Sequence, residues 1–249
     1  MSDDNPPVPM PPPPSEGSGP SADVGRAISW AFDTFKAHAA AFVGLAAVVT
    51  VIQLVQRLGS ATISNLFLNC DDVTSLDQVN ACTATLGIGL VISLFISVVF
   101  GLLAFIAMIG VQRAAIQSTQ GVTPSFSQML TTDNLLKYIL FVIVYGILFF
   151  VGLALCILPG IAVLFLFQLG PYYVLDKGYG VIEAMKASFE AVTKNFVPAL
   201  IMTVVNALVS ILGGISFGLL TLVTLPFASL FTAHMYRQFN KEPVTGPAA

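Results

Sequence analysis

The chain has 249 residues, of which 56% are hydrophobic and only 9% carry a charge, against about 25% charged in soluble domains. So few charged groups cannot cover a globule in water, and the composition calls for an all-α integral membrane protein. Ten Lys and Arg against 13 Asp and Glu leave a formal charge of −3, which gives no reason to invoke nucleic acid, a partner that requires a basic face.

Residues 1–24 come first and differ in kind from the rest. They carry Pro6, Pro7, Pro9, Pro11, Pro12, Pro13, Pro14 and Pro20 among Ser, Gly and Asp, a composition that buries no core and favours extended polyproline II. The segment reads as a disordered, Pro-rich cytoplasmic tail. Pro6-x-x-Pro9 and Pro9-x-x-Pro12 have the spacing that docks in aromatic grooves, so a protein partner at the amino terminus and a passive tail are both open. The first apolar run begins near residue 39 and is long enough to stay in the membrane, so it does not read as a cleaved signal peptide.

Six apolar windows follow, at about 39 to 58, 84 to 111, 136 to 158, 161 to 175, 197 to 212 and 215 to 235. No Asp, Glu, Lys or Arg occurs from Tyr138 to Leu175 or from Asn195 to Tyr236. Each of these tracts is roughly twice what a helix needs to cross ~30 Å of hydrocarbon, so each is expected to hold two spans and a turn. The turns are placed at Leu158-Pro159-Gly160 and Gly213-Gly214, because Pro lacks the amide hydrogen and Gly tolerates positive φ. Six transmembrane helices arranged as three hairpins result.

Lys and Arg orient them, since these residues are retained on the cytoplasmic side. Arg26, Lys36, Arg113, Lys137, Lys177, Lys186, Lys194, Arg237 and Lys241 all fall on one side, and only Arg57 falls on the other. Both termini are therefore expected in the cytoplasm of a bacterial cell, with residues 25–240 forming the membrane domain and 241–249 a cytoplasmic tail. The loop from Gly59 to Thr83 faces outward and holds Cys70 and Cys82. An oxidising exterior permits a disulfide there, worth about 3 kcal/mol for a loop of this size; two unpaired thiols are the alternative. Cys156 reads as a packing residue.

Two segments have helical amphipathicity. Ile182, Met185, Phe189, Val192 and Phe196 share one face while Glu183, Lys186, Glu190 and Lys194 share another; before the first span, Ile28, Phe32 and Phe35 oppose Arg26, Ser29, Asp33 and Lys36. Such helices lie in the headgroup region. A weaker copy is expected from Thr123-Pro124 through Phe126, Met129 and Leu130. The architecture is then three parallel repeats, each an interfacial amphipathic helix followed by a hairpin of spans, or else short loops between spans that attract amphipathic helices without any repeat.

The order Trp30-Ala31-Phe32, Leu158-Pro159-Gly160-Ile161, Pro171-Tyr172-Tyr173-Val174-Leu175-Asp176-Lys177-Gly178, Ala184-Met185-Lys186-Ala187-Ser188-Phe189 and Asn195-Phe196 resembles a group of bacterial six-span proteins. The group includes the membrane domain that some glycerophosphodiester phosphodiesterases carry, and stand-alone actinobacterial members with Pro-rich amino termini. The resemblance covers roughly residues 25 to 240. It implies the six-span fold and no assigned activity, and phosphodiesterase chemistry is carried over to no residue, because the chain has no room for the catalytic domain.

Catalytic inventory is sparse. His38 and His234 are the two histidines, and neither has a His, Cys or carboxylate at spacing three or four to complete a metal site. No phosphate loop, nucleophile elbow or His-Glu-x-x-His occurs, so no catalytic residue, metal or cofactor is assigned. Ionisable groups are missing from the spans except at their ends, which disfavours proton-coupled transport. The polar residues at depth are Gln53, Gln168, Thr203, Asn206 and Ser210; they either hydrogen-bond between helices, at about 0.6 kcal/mol each, or line a path, with Gln168 and Asn206 the pair to test. Gly146, Gly152 and Gly214-x-x-x-Gly218 are expected to pack helices, and Gly170-Pro171 and Pro226 to kink spans four and six. Two functions remain: a non-enzymatic membrane scaffold or accessory factor that engages partners or lipid through its tail and interfacial helices, or a transporter or channel for a lipid-like or uncharged solute.

Overall fold

The computed structural model describes residues 22–67, 75–126, 131–216 and 218–246, and among these it is all helix. The helices are α1 (Val24–Ala37), α2 (Ala39–Phe67), α3 (Leu76–Ser118), α4 (Leu135–Leu155), α5 (Ile157–Leu166), α6 (Gly170–Lys177), α7 (Val181–Lys194), α8 (Phe196–Ile215) and α9 (Thr221–Phe239). Five stretches are long and apolar enough to cross a membrane: α2, α3, α4, α5 with α6, and α8. In the most apolar window of α3 only 6% of residues are buried; a surface of Leu90, Val91, Leu94 and Phe95, each more than 60% exposed, belongs against hydrocarbon rather than water. Helix α9 is not among the five, and its second half, which ends in His234, Tyr236, Arg237 and Gln238, is buried at one end of the bundle.

Two amphipathic helices stand where periodicity put them. Helix α1 is capped by Asp23, whose side chain accepts from the Arg26 amide at 3.0 Å, and α7 opens with Glu183 accepting from the Gly180 amide at 3.0 Å; both caps satisfy otherwise orphaned amides. Apart from Trp30, the residues buried are small. Helix α1 turns Ala27, Trp30, Ala31 and Thr34 inward and leaves Ile28 and Phe32 exposed, with Phe35 half-buried. Helix α7 buries Ala184, Ser188, Ala191 and Val192, leaving Ile182 and Phe189 exposed and Met185 half-buried. Each therefore packs a stripe of mainly small residues on the bundle, with Trp30 the exception on α1, and keeps a separate apolar stripe outside; Val192 leaves the face it was expected to share with Ile182 and Phe189 and joins the core. The expected third copy is not a helix at Thr123–Phe126, which is irregular, while Met129 and Leu130 lie outside the described residues.

Both predicted turns shift. The chain breaks at Cys156, which is extended at φ −172°, so Pro159 falls in the first turn of α5, where its missing N–H costs nothing. Here α4 and α5 meet backbone to backbone: a Cβ on Gly152 would lie 2.8 Å from the Gly160 nitrogen. Helix α8 runs through Gly213-Gly214 to Ile215, and the turn comes later, with Gly218 at φ +93°. Of the glycines expected to pack helices, Gly152 does so, whereas a Cβ on Gly146, Gly214 or Gly218 would meet nothing within 4 Å among the described residues. The close approach instead uses Gly213, where a Cβ would lie 2.7 Å from Thr224 Oγ1 on α9. Pro226 lies inside α9, which continues through it.

Helices α2 and α3 outrun their apolar windows. At about 1.5 Å per residue the 43 residues of α3 reach ~65 Å, roughly twice the hydrocarbon thickness, so part of α3 stands beyond it. A reciprocal cap starts this extension: the Gln78 amide donates to Ser75 Oγ and the Ser75 amide to Gln78 Oε1. Cys82 sits in this part of α3, while Cys70 lies outside the described residues. Cys156 is a free, exposed cysteine.

A charged lock closes the other end of the bundle. Arg237 is 6% exposed and donates to both Asp176 oxygens, at 2.9 and 2.7 Å, to Thr119 Oγ1 at 3.0 Å and to Glu242. Tyr236 Oη donates to Asp176 at 2.9 Å. Residues after α9 then run back across α3: the Thr245 amide donates to the Thr119 carbonyl at 3.0 Å, and Trp30 Nε1 donates to the Thr245 carbonyl at 2.9 Å. Burial pushes the Glu242 carboxyl up, but hydrogen bonds from Lys177 and Arg237 outweigh it and hold it below its ordinary 4.5. A lowered carboxyl contributes stability that is present above its unfolded value and is lost as pH falls through the folded one. Hydrogen exchange at the Thr245 amide, corrected for intrinsic rate, is accordingly expected to stay slow near neutral pH and to accelerate once the pH falls well below the ordinary carboxyl value of 4.5; equal protection in both ranges would show that Glu242 does not hold the strap.

Candidate functional site

The site begins with a broken helix. Helix α5 ends at Leu166 and α6 starts at Gly170, with Pro171 in its first turn. In a low-dielectric interior, the backbone groups freed by such a break must find partners. Ser188 of α7, fully buried, supplies them: its Oγ accepts from the Leu169 amide at 3.2 Å and donates to the Leu166 carbonyl at 2.9 Å. In the sequence Ser188 stands only within the motif Ala184-Met185-Lys186-Ala187-Ser188-Phe189, where nothing gives it a role.

The break releases Gln168 from helical packing and turns it to α8, where its Oε1 accepts from Thr203 Oγ1 at 3.0 Å. One turn along α8, Asn206 Nδ2 donates to Thr232 Oγ1 of α9 at 2.9 Å. Gln168 and Asn206 thus come together, both lining a cavity of about 460 Å³. Its other polar walls are Tyr172, Ser210, Thr221, Thr224, Ser229 and Thr232. On α8, Asn206, Ser210 and Gly213 repeat at spacings of four and three, and α9 answers with Thr221, Thr224, Ala228 and Thr232 at spacings of three and four, so two uncharged polar stripes face each other. Tyr172 Oη closes the wall by donating to the Ser229 carbonyl at 3.3 Å. Gln53 is elsewhere, in a cleft with Gln56 and Arg57 on α2.

Two buried amide atoms at this cavity have no hydrogen-bond partner among the described residues: Gln168 Nε2, a donor, and Asn206 Oδ1, an acceptor. Leaving such a group unpaired costs about 1–3 kcal/mol. Among the described residues no Asp, Glu, Lys, Arg or His lines the cavity, so it offers hydrogen bonds of both senses in an electrically neutral setting. That chemistry suits hydroxyl and amide groups and disfavours ions, which would lose their hydration without a counter-charge.

The histidines stand apart from it. His234 packs against Trp30 with its ring tilted by 46° and 5.1 Å between ring centroids, and its Nδ1 lies 2.8 Å from Gln238 Nε2. Among the described residues no group of three His, Cys, Asp or Glu is placed to hold a metal ion.

Comparison with known proteins gives distant relatives. A protein of uncharacterised function from Mycobacterium bovis is 25% identical over 248 residues, spanning 92% of this chain and 73% of its own length. Two uncharacterised proteins from Mycobacterium tuberculosis match at the same identity and coverage. No family model and no solved structure matches this chain.

Proposed function

We propose that this chain is a six-span protein of the bacterial cell membrane that takes an uncharged, hydrogen-bonding molecule into the cavity between α6, α8 and α9. The molecule is a small polar solute or the neutral headgroup of a lipid, and the protein performs no covalent chemistry on it. In this reading α9 is the sixth span, the spans form three parallel hairpins with both termini in the cytoplasm, and the sequence likeness to the glycerophosphodiester phosphodiesterase membrane domain concerns architecture only. The observation that carries the proposal is the pairing of two orphaned amide atoms with facing stripes of hydroxyls in a cavity without charge.

Site-directed labelling tests it. In a Cys156→Ser background, Ser210→Cys is expected to react with the small uncharged N-ethylmaleimide and to resist a charged thiosulfonate of similar size; no reaction with either in the folded protein would mean a closed, packed interior. The same thiol chemistry tests the Cys70–Cys82 disulfide, which belongs to this reading. One reactive thiol is expected in the unfolded wild type before reduction and three after it; three beforehand would exclude the disulfide.

A second reading rests on the outward apolar stripes of Ile28 and Phe32 on α1 and of Ile182 and Phe189 on α7. With the Pro-rich amino terminus they suit a scaffold or accessory factor that grips lipid and a protein partner. Deleting residues 2–20 discriminates: it would remove a co-purifying partner in the scaffold reading and leave Ser210→Cys labelling unchanged in the cavity reading.

A further inference from the structure

We propose that a second site, a cleft at the charged end of the bundle, binds a phosphate group through Arg113. Two arginines are buried at this end, and they are served very differently. Arg237, described above, has two carboxylates and a threonine hydroxyl. Arg113 is 7% exposed, yet no carboxylate among the described residues lies within ion-pair distance of it. Its guanidinium donates to the Asp133 backbone carbonyl, and its Nε is buried without a hydrogen-bond partner. The Asp133 carboxylate acts on Arg113 only from a distance and from the solvent side, and a buried cation without a direct ion pair is costly, by several kcal/mol for typical sites. An anion in the cleft supplies what the fold omits.

The cleft has the size and the donors for it. Its volume is about 300 Å³, and Arg113 shares its walls with Gln117, Gln120, Thr131, Asn134, Asp133 and Asp176. The side-chain amides of Gln120 and Asn134 beside a planar guanidinium suit an oxyanion with several oxygens, the arrangement in which Arg is preferred over Lys. The two acids limit the charge that fits. Asp176 spends both oxygens on Arg237 and Tyr236, while Asp133 is exposed to solvent and so screened. A singly charged phosphodiester is therefore favoured over a phosphate dianion. The position agrees: Arg113 lies near the end of α3 and the cleft continues to the start of α4, where two long apolar helices leave the hydrocarbon at the level of phospholipid phosphates.

The phosphate has two sources, an anionic lipid headgroup or a soluble phosphate, and native mass spectrometry of the full chain in a neutral detergent separates them. Dioleoyl phosphatidylglycerol, dioleoyl phosphatidylcholine and inorganic phosphate are titrated in turn. The wild type is expected to bind phosphatidylglycerol, and Arg113→Gln to weaken that binding by about tenfold or more, the loss of one charge-assisted contact. Gln120→Glu, an exposed position that adds a negative charge to the cleft, is expected to weaken it likewise, and serves if Arg113→Gln does not fold. Arg113-dependent binding of inorganic phosphate with no preference for the lipid would assign the site to a soluble ligand. Equal binding of every probe by the wild type, Arg113→Gln and Gln120→Glu overturns the proposal.

Discussion

Arg237→Met is expected to destabilise the protein by about 3–5 kcal/mol, the cost of leaving a buried ion without its partner. The Asp176 carboxylate, 9% exposed in its ion pair, would keep only the Tyr236 hydroxyl, and Thr119, Glu242 and the strap to Thr245 would lose their common anchor. Reversible unfolding in mixed micelles measures this. Two companions make the result specific. Lys194→Met removes an exposed pair with Glu190 and is expected to cost less than about 0.5 kcal/mol. Arg237→Met with Asp176→Leu replaces both charges and is expected to recover part of the loss, because an apolar pair of similar volume is often no worse than a buried salt bridge. A double variant as unstable as the single one would show that the charges are not coupled.

Gly152→Ala is the second large effect. The added Cβ would come within 2.9 Å of the Gly160 nitrogen and Cα and 3.1 Å of the Pro159 carbonyl carbon, all backbone atoms. No rotamer change relieves contact with backbone, so α4 and α5 must separate, at a cost of about 1–3 kcal/mol or more. Gly146→Ala, six residues earlier on the same helix, faces open space and is expected to be neutral or slightly favourable through helix propensity. Equal behaviour of the two variants in the same unfolding assay would contradict the backbone contact at the α4–α5 turn.

Hydropathy in this chain reports where oil lies, and helix ends answer to other rules. Helix α2 passes the apolar boundary near residue 58 and continues to Phe67, since Arg57, Ser60 and Thr62 end a hydrophobic window without breaking backbone hydrogen bonds. Helix α8 passes through Gly213-Gly214 because Gly213 is needed for the approach to Thr224, and a glycine pair does not force a turn when both residues stay helical. The charge-free tracts and the two amphipathic helices were legible because each is a periodic or compositional signal over ten or more residues. Gln168 and Asn206 were legible as polar residues out of place in an apolar run. Ser188, Thr232 and Ser229 were not, because a hydroxyl in a helix gives no sign that a break elsewhere in the chain requires it. The lock of Arg237 on Asp176 joins residues 61 positions apart, and nothing local in either segment marks that pairing. Which stripe of α1 or α7 faces the bundle was equally hidden, since small residues fit against other helices while the larger apolar ones suit lipid.

Native mass spectrometry of the protein extracted in its own lipid discs tests the cavity most directly, with Gln168→Leu and Asn206→Leu beside the wild type. The wild type is expected to retain an uncharged species bearing hydroxyl or amide groups, and each variant to release it while keeping its fold, because Leu removes an orphaned amide without adding charge. Identical spectra from all three proteins, showing only bulk membrane lipid, would contradict a ligand at this site.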